Sequence, residues 1–153
     1  MIRLRPALLL IPLLSCRGAD TRTPATVTPA QFADLRWLSG SWSGTGSGVK
    51  PFFERYAFVD DSTIQMHGYP DSTFGAPGDS SRITLRGGQV VSQSASTWVA
   101  TSIDSVEVRF DHSEKPGNAF TFRRVSHTEW TAHIEWTGDK GAQTITYQMT
   151  RVP

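Results

Sequence analysis

The stretch Trp37-Leu38-Ser39-Gly40-Ser41-Trp42-Ser43-Gly44 divides the chain into two kinds of pattern. On its N-terminal side, Thr28-Pro29-Ala30-Gln31 reads as a helix start. Thr28 caps, Pro29 takes the first helical position, and Gln31 closes a capping box. Phe32, Leu35 and Leu38 then share one side of a short helix, which Gly40 ends. Beyond Gly40 the apolar period changes to two, the period of half-buried strands.

Ile64, Met66 and Gly68 alternate with Thr63, Gln65 and His67, and Ile83 and Leu85 with Arg82, Thr84 and Arg86. Gly87-Gly88 offers a tight hairpin turn into Gln89-Val90-Val91. Val106, Val108 and Phe110 alternate with Ser105, Glu107 and Arg109, and Phe120 and Phe122 follow. Trp130, Ala132, Ile134 and Trp136 form the next apolar row, and Ile145, Tyr147, Met149 and Arg151 the last. Turn residues separate the runs, as in Asp60-Asp61-Ser62, Lys115-Pro116-Gly117-Asn118 and Gly138-Asp139-Lys140-Gly141. The longest break, Pro70 to Ser80, reads as an exposed loop. About eight to ten short strands with close connections make an antiparallel meander whose apolar face must be buried by closure. The expectation is an all-β chain, an antiparallel up-and-down β-barrel over residues 31–153 with a short N-terminal helix.

Gly40-Ser41-Trp42, at the start of the first strand and after a short helix, resembles the lipocalin and fatty-acid-binding-protein superfamily, the calycins. In those barrels the Trp closes one end, and a basic residue late in the last strand packs across its ring. The resemblance gives these barrel-closing roles to Trp42 and Arg151, and parity agrees, since Arg151 shares a face with Ile145, Tyr147 and Met149. The whole opening Trp-Leu-X-Gly-X-Trp also resembles uncharacterised bacterial lipocalin-like domains, in which an acidic and an aromatic residue follow. Glu54 and Tyr56 fit that slot, and the late Phe-X-Phe, Trp-X-Ala and Tyr-X-Met-X-Arg fit the same kind of domain. The glycine spacing of Gly40 to Gly48 is similar to the first strand of nitrobindin, a haem-binding barrel. Its haem ligand is a His in the final strand. Gln143 to Arg151 contains no His, so no iron ligand carries over and no cofactor is expected.

The N-terminus carries a separate signal. Arg3 and Arg5 precede an apolar run of eight residues, 7–14, too short to span a bilayer. Leu13-Leu14-Ser15-Cys16 resembles the lipobox of bacterial lipoproteins. That resemblance implies a signal peptide over residues 1–15, acylation of Cys16 and a flexible tether over 16–30. Cys16 is the only cysteine, so an internal disulfide is excluded. Arg17 follows it, rather than the Asp that commonly retains such proteins at the inner membrane of enteric-type bacteria. The expected location is therefore the cell envelope, lipid-anchored. In an organism with two membranes this is the outer one, facing the periplasm.

Fifteen Lys and Arg oppose fourteen Asp and Glu, a net charge of +1 that becomes −1 once Arg3 and Arg5 are removed. Nothing in that balance suggests nucleic acid. Five Trp, eight Phe and three Tyr imply a real aromatic core. Gly40 to Gly48 is not a phosphate loop, because no Gly-Lys-Ser/Thr ends it. His67, His112, His127 and His133 are too scattered for a metal site, and none is expected.

The candidate site follows from strand parity. Phe52, Glu54, Tyr56 and Phe58 share one face, and Phe53, Arg55, Ala57 and Val59 the other. If the first set points inward, Glu54 sits among aromatic rings and needs a partner, for which Arg124, in phase with Phe120 and Phe122, is within reach. In the opposite phase Glu54 lies in solvent. The candidate ligand-binding residues are Glu54, Tyr56, Met66, Phe122, Arg124, Trp130 and Tyr147. They suggest a non-enzymatic envelope protein that holds a small hydrophobic molecule. Two alternatives stand: a filled barrel that acts as a structural or protein-interaction module, and an enzyme with Glu54 as acid or base.

Overall fold

The structure, a computed structural model, describes residues 22–153. The expected signal peptide and Cys16 lie outside the described residues. A helix α1 (Pro29–Ala33) runs into a 3-10 turn (Asp34–Leu38) and then into β1 (Gly40–Gly46). The remaining strands are β2 (Val49–Asp60), β3 (Thr63–Tyr69), β4 (Ser80–Arg86), β5 (Gln89–Gln93), β6 (Thr97–Ile103), β7 (Glu107–His112), β8 (Ala119–Arg124), β9 (Glu129–Gly138) and β10 (Gly141–Val152). Each strand pairs with its sequence neighbours, and β1 pairs with β10 to close a ten-strand antiparallel barrel. Closure leaves no edge strand in the sheet.

The capping box forms as its residues suggest. Thr28 N donates to Gln31 Oε1 at 2.9 Å, and Gln31 N donates to Thr28 Oγ1 at 3.3 Å. α1 and the turn after it plug one end of the barrel with Phe32, Leu35 and Leu38, all fully buried. The Phe32 ring meets Phe58 at 5.6 Å, and Ile64, Val90, Val108 and Phe110 are fully buried in the same core. Gly87 and Gly88 both adopt positive φ, which the two-residue turn between β4 and β5 requires.

Two sequence expectations need correction. Residues before 31 already pack on the barrel. β5 and β6 pair only from Val91 opposite Val99 to Gln93 opposite Thr97. Past that point Ala25 N donates to Ala100 O at 2.8 Å and Val27 N to Gly88 O at 2.7 Å, so the segment before α1 occupies carbonyls the ladder leaves open. Val27 is buried there, which shortens the tether expected over 16–30. Val106, expected in a strand row, is exposed and outside it. The Asp104 carboxylate accepts from Val106 N and Glu107 N at 2.8 Å each, and this turn delays β7 to Glu107.

Candidate functional site

Gly40 decides how the plugged end is built. It holds φ of +132°, and a methyl group on its Cα would overlap Arg151 Nη1. That vacancy lets the guanidinium lie over the Trp42 ring, 4.3 Å from its centroid. Trp42 and Arg151 are direct register partners of β1 and β10. Arg151 also donates from Nη1 to Ser39 O at 3.0 Å and from Nε to His127 O at 3.1 Å, while Trp42 Nε1 donates to Leu38 O at 2.7 Å. The pair thus ties the seam of the barrel to the chain entering from α1.

Toward the other end the interior is hollow. A cavity of about 460 Å³ extends from the core to a rim that includes Val49, Asp79 and Ser94. Its volume lies within the range of small-molecule sites, about 300–1,000 Å³. Of the sequence candidates, Glu54, Tyr56, Met66, Phe122, Trp130 and Tyr147 all line the cavity. Phe52, Trp98 and Phe120 add further rings. Phe52 meets Tyr147 at 5.2 Å, Trp98 meets Phe120 at 5.1 Å, and Tyr56 meets Trp130 at 5.8 Å, each edge to face.

Glu54 is inward, which selects the first of the two possible phases of β2. Its partner is not Arg124. Tyr56, two residues along the same strand and hence on the same face, donates its hydroxyl to Glu54 Oε2 at 2.9 Å. Arg124 stands at the end of β8 opposite Trp130. Its guanidinium turns to the chain that follows, at 3.4 Å from Ser126 O and 3.2 Å from His127 Nδ1. Those acceptors are local, and Arg124 is not part of the cavity lining.

A second carboxylate arrives from the loop. Gly68 lies opposite Glu54 in the ladder of β2 and β3. Gly68 N donates to Asp79 O at 3.0 Å and Gly78 N to Gly68 O at 2.9 Å, so the loop's last residues pair back onto β3. The Asp79 carboxylate then occupies the space a side chain on Gly68 would fill. Burial pushes the Glu54 carboxyl above the usual carboxylate range, the Tyr56 hydrogen bond opposes this, and the charge of Asp79 adds to the rise. Burial, and then the charge of Glu54, push the Tyr56 phenol well above its ordinary value.

Pro70 to Ser80 is exposed for most of its length, but Phe74 is anchored on the outer wall. Its ring meets Tyr69 at 5.1 Å and Phe53 at 6.0 Å, and the Arg55 guanidinium lies 4.8 Å from its centroid. Asp79 and Trp98 are among the lining residues that sequence periodicity missed, with Val49, Ser81, Ser92 and Ser94. Asp79 depends on a loop pairing with no local pattern. Trp98 lies beside Val99, so apolar residues occupy both phases of β6, which also carries a register shift between Ala100 and Ser102.

No protein-family model matches this chain, and no curated protein matches it either. Among solved structures, EF1p2_mFAP2b bound to DFHBI aligns with 80% of this chain and 99% of its own, at 13% identity and a TM-score of 0.41. A redesigned β-barrel, b11L5F_LGL, aligns with 78% and 96%, at 12% identity and a TM-score of 0.37. These likenesses are too slight to say anything about function. The closed antiparallel barrel of ten strands with one short helix near the N-terminus is a lipocalin-like, or calycin-like, architecture in its own right.

Proposed function

We propose that this protein is a lipid-anchored binding protein of the cell envelope, which holds a small hydrophobic molecule in its barrel. The observation that carries the reading is the cavity of about 460 Å³, walled by aromatic side chains and furnished with one inward carboxylate and phenol, Glu54 and Tyr56. Anchoring rests on the lipobox-like Leu13-Leu14-Ser15-Cys16. Two or more acyl chains on one residue hold a protein at a membrane where a single chain is marginal. Arg22 and Pro24 run along the outer wall beside Ser113, Pro116 and Gly117, in the turn between β7 and β8. That turn rims the hollow end of the barrel. The expected location remains the outer membrane, facing the periplasm, in an organism with two membranes.

Binding is tested with the full-length protein in phosphatidylcholine nanodiscs, titrated with N-phenyl-1-naphthylamine against empty nanodiscs. Saturable quenching of tryptophan emission, lost in Ala132→Phe, supports the reading, because Ala132 lines the cavity. Absence of any saturable signal above empty nanodiscs contradicts it.

The same carboxyl supports a second reading. An inward Glu with a raised pKa beside an open cavity meets the requirements of a general acid or base. Loss of an identified activity in Glu54→Gln would establish it, and unchanged activity would remove Glu54 from any mechanism.

A further inference from the structure

The polar side of the cavity is one-signed. Among the described residues that line it, the charged side chains are Glu54 and Asp79, with no Lys, Arg or His. Gly68 holds the two acids on neighbouring positions of the sheet: it is the register partner of Glu54, and the Asp79 carboxylate covers it. Lys50, Lys115 and Lys140 lie in or next to the rim turns, but all are exposed, where water and salt screen them. Arg124, the one cation that strand phase offered to Glu54, binds elsewhere. The charge of Asp79 adds to the cost of a charge on buried Glu54, and an opposite charge between the two acids offsets it.

The rest of the wall has the matching chemistry. Phe52, Tyr56, Phe122, Trp130 and Tyr147 present rings around the same space, and ring faces attract cations as well as apolar groups. A hard divalent ion is a poor occupant, since it needs six or more oxygen ligands in a compact shell. Two carboxylates beside a ring-lined chamber suit a charge carried on a carbon body.

We infer that the cavity takes an amphiphilic organic cation, an amine or quaternary ammonium on an apolar body, with its charge at Glu54 and Asp79 and its body among the aromatic rings. The inference rests on the binding reading above and adds the sign of the ligand. Occupation would set one positive charge against the two acids without importing a counterion from the protein, and it would disfavour anionic amphiphiles such as fatty acids.

The test is isothermal titration of the full-length protein in phosphatidylcholine nanodiscs with three probes of one aromatic body: 1-naphthylmethylamine, 1-naphthylmethanol and 1-naphthoate. The expected result is that the amine binds about tenfold or more tighter than the alcohol, and the carboxylate weakest. In Glu54→Gln and in Asp79→Asn, each checked for folding by circular dichroism, the amine-to-alcohol ratio falls toward one. Equal affinity for amine and alcohol would overturn the cation inference and leave the cavity reading intact. A preference unchanged in both variants would also overturn it, since the amine would then sit elsewhere. If no probe binds, the binding reading itself fails.

Discussion

The Tyr56 hydroxyl donates to Glu54 Oε2 at 2.9 Å, so the inward carboxylate of β2 is partnered by a neutral phenol from its own strand rather than by a cation. A phenol hydrogen bond offsets only part of the cost of burying a charge, and the Glu54 carboxyl is held above the usual carboxylate range, chiefly by burial. The sign of the linkage is fixed by that shift. Between the ordinary carboxylate value and the raised one, the folded protein keeps a proton that the unfolded chain has lost, so stability falls as pH rises through this window and stays lower above it. Glu54→Gln removes the titration. Urea unfolding from about pH 4 to about pH 8 is expected to give a flatter profile for the variant, with equal or greater stability at neutral pH. A variant less stable by more than about 1 kcal/mol at neutral pH would contradict this.

Arg151 over Trp42 is a different kind of polar contact, because the guanidinium meets an indole and backbone carbonyls. It stacks on indole and donates to the carbonyls of Ser39 and His127. Arg151→Met keeps an apolar stem over the ring but leaves two acceptors short of a donor. The expected loss is about 1–3 kcal/mol in urea unfolding, and a change within about 0.5 kcal/mol would remove the barrel-closing role.

Phe74 tests how firmly the loop is pinned. Its ring and the Arg55 guanidinium hold the segment from Pro70 to Asp79 against the outer wall, and Asp79 in turn furnishes the cavity rim. Phe74→Ser should change global stability by about 1 kcal/mol or less, because the contacts are on the surface. Proteolytic cleavage within 70–79 should nevertheless accelerate, as a local opening. An unchanged cleavage rate would show that the backbone pairing at Gly68 and Gly78 suffices to hold the loop.

The proposed membrane attachment rests on one side chain, the thiol of Cys16. Among the described residues no helix is long or apolar enough to cross a membrane. In a bacterial host, Cys16→Ser should move the protein from the detergent phase to the aqueous phase on Triton X-114 partitioning, and label from a radioactive fatty acid should be lost. Unchanged partitioning would remove the lipoprotein reading without touching the barrel.

The architecture was readable because closure repeats one rule in every strand. An apolar residue in one phase and a polar one in the other, as in Ile83 against Arg82 or Ile134 against His133, states which side is inside. Gly40 and Trp42 with Arg151 then located the seam, and the structure explains the glycine through the guanidinium packed on it. Strand parity grouped Phe52, Glu54, Tyr56 and Phe58 on one face but left open which face is inward, and the structure turns that set inward, with Phe52, Glu54 and Tyr56 on the cavity wall. What failed was longer-range. Arg124 has the right phase but stands at a strand end, where the next turn offers nearer acceptors. Asp79 reaches the cavity through loop pairing on Gly68, which no periodicity encodes. Hollowness itself depends on how ten strands set the barrel's width against the side chains within it, a balance no single run of residues states.

The most direct test of the binding account is native mass spectrometry of the full-length protein, purified from a bacterial envelope into nanodiscs and released in the gas phase, beside its denatured mass. The account predicts a reproducible excess mass in the native species that is absent from Ala132→Phe. A native mass equal to the denatured one, still bare after incubation with envelope lipid extract and with 1-naphthylmethylamine, would contradict it.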